Sequence, residues 1–154
     1  MKRILNVSPN HKATDVALLA ARLSIAALML THGLPKLAML FSEAPIQFPP
    51  VLGLSAELSL SLAVFAEVFC SLLIAFGLGT RLAVLPLIAT MLVAALLIHA
   101  ADPFAKQEPA LQYLLVYTML LLTGRGRYSI DYLWSKKGAH QKDFRNKEVF
   151  ALQQ

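Results

Sequence analysis

LSLSLAVFAEVFCSLLIAFGLG, residues 58–79, is long and apolar enough to cross a membrane, yet it holds Glu67 near its centre. Glu67 is the only charged residue between Glu57 and Arg81. A helix crossing the hydrocarbon core takes about 20 residues. A carboxylate at that depth costs at least about 2.5 kcal/mol on insertion scales. Such a residue persists where a partner, a water-filled cavity or a proton compensates for it. What Glu67 faces is therefore the central functional question.

The surrounding chain has the same character. Its 154 residues are 57% hydrophobic and 15% charged, against about 25% charged for a soluble domain. Its mean hydropathy is +0.61. Hydropathy predicts spans over about 15–41, 56–76, 82–99 and 110–123. Four spans nearly exhaust the chain and leave no room for a soluble catalytic domain. The expected fold is all-α, an integral-membrane up-down four-helix bundle over 15–135. A cytoplasmic N-terminal segment, 1–14, precedes it, and a polar cytoplasmic tail, 136–154, follows. The first fifteen residues lack the long apolar core and cleavage site of a signal peptide. The first span is expected to act as the uncleaved targeting signal. Pro35 predicts a kink around 31–35.

The charge distribution sets the expected orientation. The N-terminal segment with Arg22, the 77–81 turn and the C-terminal region hold twelve of the fourteen Lys and Arg. By the positive-inside rule both termini are expected in the cytoplasm, with loops 42–55 and 100–109 outside. The same clustering assigns the net charge of +5 to membrane topology and argues against nucleic acid. The lipid bilayer is the expected partner. The one cysteine, Cys70, lies inside a span, so it forms no intramolecular disulfide and no CxxC relay.

At 100° per residue, Arg22, His32 and Lys36 fall within about 80° of one another on the first helix. If Glu57 stands level with Lys36, Glu67 lies about 15 Å deeper and comes within about 6 Å of the Arg22 level. Two tiers are expected. The inner tier is Arg22 with Glu67, either an ion pair that fixes helix register or a proton relay or head-group site, the remaining reading being lipid-facing snorkelling by Arg22. The outer tier is His32, Lys36, Glu57 and His99, joined by Asp102 and Glu108. It is either helix packing and interfacial snorkelling or a pocket for a polar or quinone-like head group. Imidazole suits that pocket because it donates to a carbonyl oxygen and shuttles protons near neutral pH. No metal is expected, since no close ligand spacing such as HxxxH occurs. Phosphate-loop, dinucleotide, haem and serine-elbow motifs are also absent.

Three groups of residues resemble the DoxX family of small four-helix membrane proteins. The first is Ala20–Leu23 followed by His32-Gly33-Leu34-Pro35-Lys36-Leu37. The second is Ala66-Glu67 followed by Gly77-Leu78-Gly79-Thr80-Arg81-Leu82. The third is His99 with Glu108 and then Gly124-Arg125-Gly126-Arg127-Tyr128-Ser129-Ile130-Asp131. Where many relatives carry small residues after the glutamate, this chain has Phe69-Cys70. The resemblance implies a bacterial inner-membrane protein, a subunit or anchor of a redox-related complex. Quinone is the implied ligand, and a redox partner protein or a second copy the implied associate. The alternatives are a non-catalytic scaffold that recruits or stabilises a partner, and a small-solute carrier or sensor.

Overall fold

A computed structural model describes residues 11–136. The expectations for 1–10 and 137–154 lie outside the described residues. Among the described residues the chain is all-helical. Helix α1 is His11–Leu40, α2 is Ala56–Phe76 and α3 is Thr80–Ile98. Helix α4 is Phe104–Thr123, and residues 130–136 form a short α5.

Three helices, α1, α2 and α3, are long and apolar enough to cross a membrane. Helix α4 begins earlier than the sequence predicts, at Phe104. Its first turns carry Lys106, Gln107, Glu108 and Pro109. Its apolar part, 110–123, covers only about 21 Å of helix. The outward faces of the helices are greasy: Leu28, Leu62, Phe69, Leu85, Leu96, Leu115 and Met119 are all exposed. That distribution suits a lipid environment and is the reverse of a soluble bundle.

Local chemistry explains the ends. The Ser55 hydroxyl caps α2 by accepting from Leu58 N at 3.2 Å. Gly77 (φ 69°) closes α2 in the left-handed region. There Leu78 N donates to Leu73 O at 2.9 Å and Gly77 N to Ile74 O at 3.0 Å, the hydrogen-bond pair of a Schellman turn. Helix α1 runs unbroken through Pro35. Helices α2 and α3 each contain a stretch with π-type i→i+5 bonding. In α2 it is Phe65–Cys70, around Glu67. In α3 it is Ala94–Ile98, just before His99.

Helices α1 and α2 are antiparallel: Gly33 meets Glu67 and Val68, while Arg22 meets Gly77. Helix α3 packs on the π segment of α2 and along α4. Leu60, Met29, Ile74, Val84, Leu87, Tyr117 and Leu120 fill the interior. The α1–α2 register rests on one glycine. A Cβ on Gly33 would stand 2.8 Å from Val68 Cγ2 and 3.0 Å from Glu67 Cβ, inside van der Waals contact. Gly33→Ala should therefore force the helices apart and lower stability by about 1–3 kcal/mol. Thermal unfolding of the detergent-solubilised protein measures this, and an unchanged midpoint would contradict the close crossing.

Candidate functional site

Glu67 is 1% exposed, and its partner is Lys36. The Lys36 ammonium donates to Glu67 Oε1 in a short ion pair that joins α1 to α2. The expected Arg22–Glu67 pair is not formed. The reason is register. The sequence arithmetic levels Glu57 with Lys36, but the loop at 41–55 lets α2 start beyond the end of α1. Gly33 lies against Glu67 and Arg22 against Gly77, a slide of about seven residues, roughly 10 Å, from that arithmetic. Glu67 therefore comes level with Gly33, about 17 Å along α1 from Arg22 and one turn from Lys36, whose long side chain spans the difference.

Arg22 is fully buried at the other end of the interface. Its Nη2 donates to the carbonyl of Tyr128 in a short hydrogen bond. Its guanidinium lies where a Cβ on Gly77 would be, so only glycine fits at position 77. Asp131 is the carboxylate that acts on Arg22 electrostatically.

The interior around Glu67 contains groups that the sequence reading missed. Glu67 Oε2, Ser71 Oγ and the Tyr117 hydroxyl are buried, and none has a hydrogen-bond partner among the described residues. The Ser71 hydroxyl still lies close enough to the Tyr117 hydroxyl for a weak interaction, and Tyr113 and Glu67 are within electrostatic reach of it. Tyr113 and Tyr117 stack with ring centres 6.1 Å apart. His32 meets Tyr113 edge-on at 5.8 Å. The Phe48 ring lies 5.8 Å from the Lys36 ammonium, within cation–π range. His32 is exposed and Tyr113 half-buried, so the cluster passes from the bundle surface to the buried carboxylate. A spacing signal existed for part of it. Tyr113 and Tyr117 are i and i+4, as are Glu67 and Ser71, and each pair shares a helix face.

The remaining outer-tier residues do not join this group. Glu57 is exposed in the first turn of α2, about 15 Å along the axis from Glu67. His99 ends α3, and its Nδ1 hydrogen-bonds Asp102 Oδ2 at 2.8 Å. Lys106 approaches the other oxygen at 3.4 Å. Gln107 donates to His99 O and Asp102 O, at 2.9 and 3.1 Å, completing a separate loop cluster. Glu108 instead accepts from Gln112. No group of three His, Cys, Asp or Glu among the described residues could hold a metal.

The DoxX family model matches residues 17–100, more than half of the chain. The chain belongs to the DoxX family. Arg22, His32, Gly33, Lys36, Glu67 and His99 all fall within the matched region, whereas α4 and the GRGRYSID segment follow it. No curated protein and no solved structure matches the chain.

Two outcomes test this geometry. Lys36→Met leaves a buried carboxylate without its partner and should cost up to about 3 kcal/mol. Combining it with Glu67→Gln should recover much of that loss, so that the double variant unfolds above Lys36→Met in a thermal melt. In the loop cluster, hydrogen bonding from His99 holds the Asp102 carboxyl below its ordinary value; desolvation opposes it, and the nearby Lys106 adds to the lowering. A lowered folded-state pKa contributes stability above the unfolded value, and that stability is lost as pH falls through the folded one. A carboxyl carbon NMR titration should place the Asp102 midpoint below the usual aspartate range. His99→Ala should move it back up.

Proposed function

We propose that this DoxX protein is a bacterial inner-membrane subunit of a redox-related complex. Its Lys36–Glu67–Tyr113–Tyr117 cluster binds the head group of a quinone and handles its protons. In this reading α1–α4 all cross the membrane as an up-down bundle with both termini cytoplasmic. The clustering of Arg81, Arg125, Arg127 and Lys136 near one end supports that orientation.

The observation that carries the reading is the half-satisfied carboxylate. Lys36 takes one oxygen of Glu67, while the other has no hydrogen-bond partner among the described residues. It lies in a buried interior with the Ser71 and Tyr117 hydroxyls, whose polar neighbours there are each other and the nearby Glu67 and Tyr113. Each unmet polar group of this kind costs about 1–3 kcal/mol, an unfavourable arrangement for packing alone. A quinone carbonyl would accept from the Lys36 ammonium or a tyrosine hydroxyl. Its ring would lie against Tyr113, beside His32 at the surface. Quinone reduction takes two electrons and two protons. The redox partner protein would supply the electrons, and Glu67 would relay protons between the interior and His32.

One observation favours a second reading. Gly33 and the Lys36–Glu67 pair meet at the same helix crossing, as expected of a device that only fixes register in a scaffold. Quinone binding to the purified protein separates the two. Wild type should retain quinone, and Glu67→Gln or Tyr113→Phe should weaken binding about tenfold while leaving a folded protein. A wild type that binds none, with Glu67→Gln altering only the melting temperature, would favour the scaffold.

A further inference from the structure

A second polar site lies at the opposite end of α1 from Lys36. A cleft of about 510 Å³ opens between the start of α3 and the segment after α4. Its walls include Asp15, Thr80, Arg81, Leu82, Arg125 and Arg127. Two of the arginines have carboxylate partners. Arg127 Nε lies 3.6 Å from Asp15 Oδ2, and Arg125 Nη1 lies 4.0 Å from Asp131 Oδ2. Arg81 has none among the described residues. Its only hydrogen bond there is a long one, Nη2 to Leu122 O at 3.4 Å. The guanidinium lies flat over Gly124, 3.3 Å from where a Cβ would stand. This contact fixes the planar group and leaves the cleft with one surplus positive charge.

Thr80 supplies an independent sign of a ligand. It lines the cleft, is 1% exposed, and its hydroxyl has no hydrogen-bond partner among the described residues. A planar guanidinium beside a hydroxyl donor suits phosphate oxygens. Leu82, in the cleft wall, is 74% exposed, and Leu122, beside Thr123, is 73% exposed. Tyr128 and Trp134 are exposed nearby along the chain, as at a membrane–water boundary.

We propose that this cleft binds the phosphate of an anionic glycerophospholipid. Arg81 and Thr80 contact the phosphate, and the acyl chains run down over Leu82 and Leu122. The site takes its lipid from the same leaflet that borders the 77–81 turn. It is separate from the Glu67 cluster and holds whether or not that cluster binds quinone.

The test uses the full-length protein in detergent, with phosphatidylglycerol, phosphatidylcholine or inorganic phosphate added. Native mass spectrometry counts retained lipid, and thermal unfolding reports its effect. Phosphatidylglycerol should be retained about tenfold better than phosphatidylcholine, the difference expected from one charge-assisted contact, and should raise the melting temperature more. Arg81→Gln should remove that preference, and Arg81→Lys should restore part of it. Thr80→Val keeps the shape of the side chain and should weaken phosphatidylglycerol retention without lowering the lipid-free melting temperature. Equal retention of the two lipids overturns the proposal. So does an Arg81→Gln variant that keeps the wild-type preference. Stabilisation by inorganic phosphate matching that by phosphatidylglycerol overturns the lipid assignment and makes the cleft a site for soluble phosphate.

Discussion

The pairing of Lys36 with Glu67 is the constraint around which the helices are arranged. Glu67 is not tolerable alone at that depth, because a buried, unpaired ion costs several kcal/mol, and the half-buried Lys36 is the cation that meets it. Bringing them together requires α1 and α2 to approach closely, and Gly33, three residues before Lys36, removes the side chain that would prevent it. The π-type stretch of α2 lies at the same crossing. Such stretches are frequent at functional positions in helices. Close approach, unusual helix geometry and a buried carboxylate thus coincide within a few residues.

The other end of the same interface is organised by Arg22. The chain lines a buried guanidinium with backbone and glycine. Tyr128 O accepts from it, and Gly77 leaves room for it. Asp131 completes the turn by accepting from Gly79 N at 2.8 Å. The GLGTR turn and the GRGRYSID segment, distant in sequence, are therefore one structural unit. Charge at one end of α1 is neutralised by charge. At the other end it is met mainly by a peptide carbonyl and a more distant carboxylate.

Much of this was legible in the sequence. Hydropathy located α1, α2 and α3 within a few residues, because a bilayer-length apolar run has few other readings. The expense of Glu67 was legible for the same reason. Its partner was not. Register between antiparallel helices depends on how far a loop lets one slide past the other, and the proline-rich 41–55 segment has no signature for that. Gly33 held the missing information, since a glycine inside an apolar helix marks a close approach. Tyr113, Tyr117 and Ser71 do not stand out by residue type, because tyrosine and serine are ordinary in spans. Only the fold brings the two tyrosine hydroxyls within electrostatic range of the buried carboxylate.

The Arg22–Tyr128 contact also has a consequence in time. Ribosomes make the chain from its first residue, so α1 enters the membrane with its arginine long before residue 128 exists. Until the last helices arrive, that guanidinium must reach water or lipid phosphate at the membrane surface. The buried position it holds in the folded protein becomes available only when the segment carrying Tyr128 has arrived.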